Sequence, residues 1–364
     1  MEKFRQMLDL LIKTTGNAPI YNCILYINNE KDKFSYKGAS GFADESNNVV
    51  TPEHSFRIAS ISKTFTATVV LQLMEEGWIN LNDKFIDLLP QNKRAFLRNL
   101  HLLKGNNFTN TITIAQLLQH RSGLCDYYTD SEQFQEFVVR FPSLQWNWKS
   151  VMEKFFEYGL NQKSFFSPGA DFYYSDTNYL LLAIVVEAIT GRNLHDEYES
   201  RIFQPLVLDN TYLEFYQSSR GGAPRTFPYF GNHSLQAVNT SFDWGSGGLV
   251  STVTELSIFI RSLANGVLFS NKKITELMMN FNAHSDNSFT HSPSASYELG
   301  IQKKEIANYT FVGHSGAYGV MMYYSTEKDT SIVLTLNQTA AMHKAEWLLK
   351  KAVEEYILIS PKAL

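Results

Sequence analysis

Three serines in this chain stand three residues ahead of a lysine: Ser60 with Lys63, Ser270 with Lys273, and Ser325 with Lys328. On a helix that spacing puts both side chains on one face, within reach of each other. An amine beside a hydroxyl can turn a poor nucleophile into a working one. The surroundings separate the three pairs. Ser270 precedes a doubled lysine and Ser325 opens the charged turn STEKD, whereas Lys63 is the one charge among the seventeen residues from Ile58 to Met74. A lysine in so apolar a stretch is predicted to be partly desolvated, which lowers its pKa and makes the neutral amine available as a base. Ser60 begins the same stretch, where free N–H groups and the positive end of a helix favour a developing oxyanion. The plainer alternative is a capping serine and a lysine that reaches solvent. This segment alone leaves the two readings level. Ser62 has Phe65 three residues on and so lacks a base.

A rival nucleophile lies in GHSGA, residues 313–317, which nearly spells the G-x-S-x-G elbow with Ser315 at its centre. That elbow runs from strand to turn to helix. Here YGVMMYYS follows and reads as a strand, and only 49 residues remain after Ser315. None of the nine histidines forms HExxH or a cysteine–histidine cluster, so neither a metal nor another cofactor is expected. GSGGL at 245–249 lacks the Lys-Ser/Thr of a phosphate loop and reads as a turn beside a cleft.

These groups need elements to hold them. Phe4, Met7, Leu8 and Leu11 fall at helical spacing, and YNCILYI, NNEKDK and FSYKGASGFAD read as strand, turn and strand. Ile61, Phe65, Val69 and Leu73 recur every four residues and Gly77 follows, which predicts a helix from Ile58 to Met74. Residues 80–240 alternate helical stretches, such as ITIAQLLQH and TNYLLLAIVVEAITG, with polar loops. The last third carries the strand-like runs TFVG, YGVMMYYS and DTSIVLTLN and closes on the amphipathic AAMHKAEWLLKKAVEEYIL. The expectation is an α/β (α+β) fold: an antiparallel sheet flanked by helices, built from residues 1–79 together with 241–364, with a mostly helical domain inserted at 80–240. The polar stretches Gln217 to Thr240 and His284 to Ser296 are expected to be surface loops that rim the cleft between the two parts.

Tyr174, Ser175 and Asp176 sit just before the apolar helix TNYLLLAIVVEAITG, and His314, Ser315 and Gly316 precede a strand near the C-terminus. With Ser60-x-x-Lys63 at a helix start, these motifs resemble, in order and spacing, those of the serine β-lactamase and penicillin-binding protein family, which includes class C β-lactamases, DD-carboxypeptidases and related esterases. The phrases LLQHRSGL, SPGADFYYSDTNY, IFQPLVLDNTYLE and WGSGGLVSTVTELSIFI agree, so the resemblance covers roughly residues 15 to 355. It implies a serine hydrolase that forms an acyl-enzyme on an amide or ester carbonyl, most of all a D-alanyl-D-alanine carboxypeptidase-like peptidase or an esterase. Ser60 would attack, Lys63 and Tyr174 would relay its proton, and the N–H groups of Ser60 and Ala317 would form the oxyanion hole. His314 would shuttle a proton or bind a substrate carboxylate, and Asp176, Ser315 and Gly316 would line the substrate. Two departures stand out. Asp176 replaces the asparagine of β-lactamases, where a carboxylate repels acidic substrate groups and donates no amide hydrogen bond. His314 replaces the lysine of class C enzymes and moves the match towards carboxypeptidase-like and esterase-like members. The alternative function is a non-catalytic peptide or cell-wall sensor on the same fold.

Composition narrows the partners. Hydrophobic residues make up 44% and aromatics 14%, which excludes a disordered chain, and the net charge of −4 carries no nucleic-acid footprint. The longest uncharged apolar runs, Thr64 to Met74 and Thr177 to Val186, are far below the roughly 18 residues a membrane span needs. The expected partner is a small-molecule or peptide substrate: a D-amino-acid peptide, a β-lactam or an ester. Lys93, Arg94, Arg98 and Lys104 read as a solvated helix face rather than an anion site. Cys23 and Cys125 form no CxxC pair and leave the compartment open: extracytoplasmic for a processed chain, cytoplasmic if Met1 is the native start.

If Lys63 and Tyr174 both move the Ser60 proton, Lys63→Ala and Tyr174→Phe each lower the acylation rate with a chromogenic ester by about 10²–10⁴-fold in a folded protein. Unchanged rates would remove them from the relay.

Overall fold

The computed structural model describes residues 1–281 and 296–359. The expected loop at His284 to Ser296 lies outside the described residues except for Ser296, which begins a strand.

Seven strands form one sheet: β1 (Asn22–Asn29), β2 (Phe34–Gly41), β3 (Ser296–Glu298), β4 (Ile301–Ile306), β5 (Tyr309–Gly316), β6 (Val320–Ser325) and β7 (Thr330–Thr335). Their order across the sheet is β3-β4-β5-β6-β7-β1-β2, and every neighbouring pair is antiparallel. The two ends of the chain meet at the β7/β1 seam, where Ile24 lies opposite Thr335 and Asn29 opposite Thr330.

Side chains alternate across a strand, so a strand buried on both faces reads as a near-continuous apolar run. That is the pattern of CILYI and VMMYY. Ile24 and Tyr26 face one core with Val320, Met322, Tyr324 and Val333. Cys23, Leu25 and Ile27 face the other with Met321, Tyr323, Ile332 and Leu334. The second core is closed by α1 (Glu2–Leu11), through Phe4, Leu8 and Leu11, and by the C-terminal helix Met342–Ile359, through Ala345, Leu348, Leu349 and Ala352.

The first core holds the functional elements. The predicted helix at Ile58 to Met74 is a short 3₁₀ turn, Ala59–Ile61, running into α2 (Ser62–Glu75). Every residue of α2 from Ser62 to Leu73 is buried, which is why its apolar pattern lacks a polar stripe. A second apolar helix, α3 (Asp176–Thr190), packs against α2, and α4 (Val253–Ala264) lies between α2 and the sheet. The turn Trp244–Gly247 is wedged against both α2 and α3. It comes so close to α3 that a Cβ on Gly245 would sit 2.5 Å from the Cβ of Ala183. Residues 80–175 add the short helices Gln91–Leu97, Ile114–Leu118, Glu132–Arg140 and Trp148–Glu157. The stretch 217–240 is mostly irregular and is tied down from below, since Arg57 donates from Nη1 to the Leu235 carbonyl (2.8 Å) and from Nη2 to that of Val238 (2.9 Å).

Phe65 of α2 stacks on Phe259 of α4 with ring centroids 3.6 Å apart. Both rings are fully buried. Phe65→Ala is expected to cost about 3–5 kcal/mol of stability, read as a lowered midpoint of urea unfolding. A loss below about 1 kcal/mol would show that this layer repacks freely.

Candidate active site

Lys63 is 0% exposed, and three oxygens surround its ammonium group. It donates to Ser60 Oγ at 3.0 Å and to the Ser246 carbonyl at 2.8 Å, and it pairs with Asp176 Oδ1 at 2.5 Å. An ammonium has three N–H bonds and no acceptor, so this set spends all of them. The rings of Tyr174 and Tyr179 complete the enclosure, with centroids 5.0 and 5.7 Å from Nζ. Four parts of the chain supply these groups: the 3₁₀ turn and α2, the loop before α3, the first residue of α3, and the Trp244–Gly247 turn.

The charge state of Lys63 differs from the sequence expectation. Burial does push its pKa down, but the Asp176 carboxylate, and after it Tyr174, outweigh burial and hold the group above its ordinary value. Lys63 rests as a cation. Desolvation lowers an amine's pKa only when the amine is alone, and Asp176 is the residue that prevents that here. Its side chain is 19% exposed, so one edge of the pair looks into the cleft. Burial raises the Tyr174 phenol, with Lys63 opposing, so it stands neutral. Its hydroxyl lies near enough to Ser60 and Lys63 to feel both, yet is buried without an aligned hydrogen-bond partner.

Three supports were not singled out from the sequence. His120 packs against Tyr174 with ring centroids 4.1 Å apart and the rings tilted by 31°. Its Nδ1 accepts from the Ser175 N–H at 3.1 Å and lies 3.0 Å from Asn178 Nδ2. Burial, and then Lys63, hold it far below the usual imidazole pKa, so it is a neutral platform. Asp126 accepts the N–H groups of Tyr128 and Thr129 at 2.8 Å on one oxygen and that of Asp176 at 2.5 Å on the other. Burial and the Asp176 charge raise its carboxyl to about 7. Asp243 precedes the Trp244–Gly247 turn, and its carboxyl is pushed up to about 8 by burial and then by Asp176. Their only signal in the sequence was their place in or beside the phrases LLQHRSGL and WGSGGLVSTVTELSIFI.

The third motif divides between the two faces of the sheet. His314 lies opposite Met322, on the side of α2, and Ser315 lies opposite Met321, on the side of the terminal helices. Ser315 Oγ donates to Gln302 Oε1 at 3.1 Å, which also receives the Tyr323 hydroxyl. The expected placement of Ser315 against substrate is therefore not met, because alternation along β5 turns it away from Lys63. The rival elbow is absent as well, since β5 returns through a turn into β6 rather than a helix.

His314 is 1% exposed. Its Nδ1 meets the Ser315 carbonyl at 2.7 Å and its Nε2 meets the Tyr297 hydroxyl at 3.2 Å. Burial, and then Lys63, push its pKa down to about 3, so it presents no cation to a substrate carboxylate. Its ring centroid lies 6.3 Å from that of Tyr174. Gly316 ends β5 so close to the 3₁₀ turn that a Cβ there would sit 2.3 Å from the Ile58 carbonyl oxygen. A side chain would push the strand away from Ser60. Ala317 follows and is exposed. Among the described residues, no group of three or more His, Cys, Asp or Glu is disposed to hold a metal ion.

The Beta-lactamase family profile matches residues 24–354. A teichoic acid D-alanine hydrolase of Staphylococcus aureus is 26% identical over 311 residues, 85% of this chain and 68% of that protein. Beta-lactamase-like protein 4 of Dictyostelium discoideum is 26% identical over 344 residues, 84% of this chain and 57% of that protein. Among solved structures, the fold is shared with a D-stereospecific amidohydrolase from Streptomyces sp., with a TM-score of 0.75 and 24% identity over 94% of this chain and 97% of that one. It is also shared with the D-amino acid amidase from Ochrobactrum anthropi SV3, with a TM-score of 0.74 and 21% identity over 97% and 99%.

Asp176→Asn removes the charge that holds Lys63 protonated. If neutral Lys63 takes the Ser60 proton, activity rises as pH climbs through the Lys63 pKa. Lowering that pKa then moves the rising limb of kcat/KM, measured with a chromogenic ester, to lower pH by about 1–3 pH units. A limb that stays in place would show that Lys63 is not the titrating group.

Proposed function

The chain belongs to the Beta-lactamase family and is a serine hydrolase, and from that premise we propose that it cleaves aminoacyl esters or amides through an acyl-enzyme on Ser60. The observation that carries the reading is the contact of Lys63 Nζ with Ser60 Oγ at 3.0 Å, with Asp176 2.5 Å away on the same nitrogen. The Ser60 proton passes to the neutral form of Lys63, and the ammonium so formed stays between Asp176 Oδ1 and the forming tetrahedral oxyanion. No new net charge is buried in that exchange, which suits a desolvated site. The N–H groups of Ser60 and Ala317 receive the oxyanion, and the closeness of Gly316 to Ile58 supports that pairing. Tyr174, held against His120, hands its proton to the leaving group and takes one from the Lys63 ammonium, which returns to the neutral amine. Water then cleaves the acyl-enzyme by the same steps in reverse.

Electrostatics favours one of the substrate classes left open by the motifs. A β-lactam and a D-alanyl-D-alanine terminus both bring a carboxylate. Among the described residues, two cations at the site are engaged: Lys63 by Asp176, and Arg57 by Glu214 at 2.6 Å. His314 is neutral. An ester or amide without that carboxylate avoids the acidic cleft's repulsion, and the names of the D-alanine hydrolase and the D-amino acid amidase point the same way.

The test is a fluorophosphonate adduct mapped by peptide mass, followed by a hydrolysis panel of D-alanine methyl ester, D-alanine amide, a D-Ala-D-Ala peptide and nitrocefin. The expected result is an adduct on Ser60 and turnover of the ester or amide at least about tenfold above the peptide and the lactam. No adduct, or one on Ser315, would sink the assignment; faster peptide or lactam hydrolysis would overturn the substrate class.

A further inference from the structure

The third-motif histidine has no ring nitrogen left for a substrate. Its Nδ1 stands 2.7 Å from the Ser315 carbonyl, which can only accept, so that nitrogen carries the proton. His314 is neutral, and its Nε2 is therefore an acceptor, placed 3.2 Å from the Tyr297 hydroxyl. Its polar reach ends at Tyr297.

Tyr297 of β3 stands at the middle of a layer of rings. Its ring meets His120 at 4.8 Å, Tyr174 at 5.9 Å and His314 at 5.5 Å between centroids, with interplanar angles of 65°, 84° and 90°. Edge-to-face contacts of this kind favour one orientation of each ring. The backbone after Tyr297 is tied to the neighbours of His120 and Lys63. Glu298 Oε2 accepts from Gln119 Nε2 at 2.8 Å, one residue before His120, and the Gly300 carbonyl accepts from Thr64 Oγ1 at 2.9 Å, one residue after Lys63. Gly300 sits so close to α2 that a Cβ there would lie 2.2 Å from the Cβ of Ala67. Tyr174, by contrast, has a buried hydroxyl with no aligned hydrogen-bond partner among the described residues. Its direction is set by the rings around it, His120 at 4.1 Å and Tyr297 at its edge.

We propose that Tyr297 is a positioning residue for Tyr174, and that His314 serves the reaction by holding the Tyr297 hydroxyl rather than by touching substrate. This rests on the reading of Tyr174 as the group that hands a proton to the leaving group. A reacting group displaced by about 1 Å costs up to about 10²-fold in rate. Here the loss falls on a leaving group that must be protonated, such as methoxide, and spares p-nitrophenolate, which departs as an anion. It therefore changes a ratio of rates. Partial unfolding leaves that ratio untouched, because inactive molecules lower both rates alike.

The experiment compares kcat/KM for p-nitrophenyl acetate and methyl acetate, which share one small acyl group, in the full chain and in Tyr297→Leu, Tyr297→Phe, His314→Leu and His314→Gln. The p-nitrophenyl to methyl ratio is expected to rise about 10–100-fold in Tyr297→Leu and at least about threefold in Tyr297→Phe, which keeps the ring and drops the hydroxyl. His314→Leu is expected to raise it by at least about threefold as well. His314→Gln, whose amide oxygen accepts the same hydroxyl but does not titrate, is expected to bring it back to within about twofold of the unaltered chain. An unchanged ratio in both Tyr297 variants overturns the positioning role. A His314→Leu ratio left unchanged, or one that His314→Gln fails to bring back, overturns the role given to His314. Tyr174→Phe separates these failures from that of the premise. If it too leaves the ratio unchanged, Tyr174 is not the donor to the leaving group, whereas a raised ratio there beside unchanged Tyr297 variants sinks only the inference about Tyr297.

Discussion

The buried pair between Lys63 and Asp176 is the constraint to which the rest of the cleft answers. An ammonium with no exposure costs several kcal/mol unless its charge and all its N–H bonds are met. Meeting them takes a hydroxyl from the 3₁₀ turn, a carbonyl from the Trp244–Gly247 turn and a carboxylate from the start of α3. Three segments far apart in the chain must therefore converge within hydrogen-bond distance of one atom. The small residues follow from this demand: Gly245 lets its turn press against Ala183 of α3, and Gly316 lets β5 reach the Ile58 carbonyl.

The Lys63–Asp176 pair also sets the electrical character of the cleft. Burial, and after it the Asp176 charge, raise the carboxyls of Asp126 and Asp243 towards neutrality. The nearby imidazoles are pushed the other way: His120 and His314 are buried, lie under the influence of Lys63, and stay uncharged. The result is a site poor in available positive charge, on a fold whose motifs alone would equally suit an acidic substrate.

Support for Tyr174 comes from a layer of rings rather than from a hydrogen bond to its hydroxyl. His120 lies beside it with its ring tilted by 31°, fixed through Nδ1 by the backbone of Ser175, and Tyr297 meets His120, Tyr174 and His314 edge-on. The Tyr297 proton has two acceptors within reach, His314 Nε2 at 3.2 Å and Tyr179 Oη at 3.3 Å, and the Tyr179 hydroxyl donates onward to the Leu118 carbonyl. This aromatic layer links the third motif to the second without bringing His314 to the surface.

Much of this was legible in the sequence because it is local. Spacing of three placed Ser60 beside Lys63, apolar runs marked the two-faced strands, and the contrast between Lys63 and the lysines at 273 and 328 singled out the lysine that is buried. The separation of His314 from Ser315 overturned the expectation that both meet substrate, although neighbours on a strand face opposite ways. Other features were not local. Asp176 stood out as a departure, but its pairing with Lys63 joins residues more than a hundred positions apart, and that distance reverses the direction in which burial alone would move the lysine. His120, Asp126 and Asp243 carried no spacing signal, because each acts through contacts made only when the loops are stacked. The sequence by itself determined the elements, their apolar faces and the family motifs, since these depend on near neighbours and side-chain period. The tertiary structure alone decided which groups are charged and which side chains meet at Lys63, since both depend on distances through a low-dielectric interior that no stretch of chain encodes on its own.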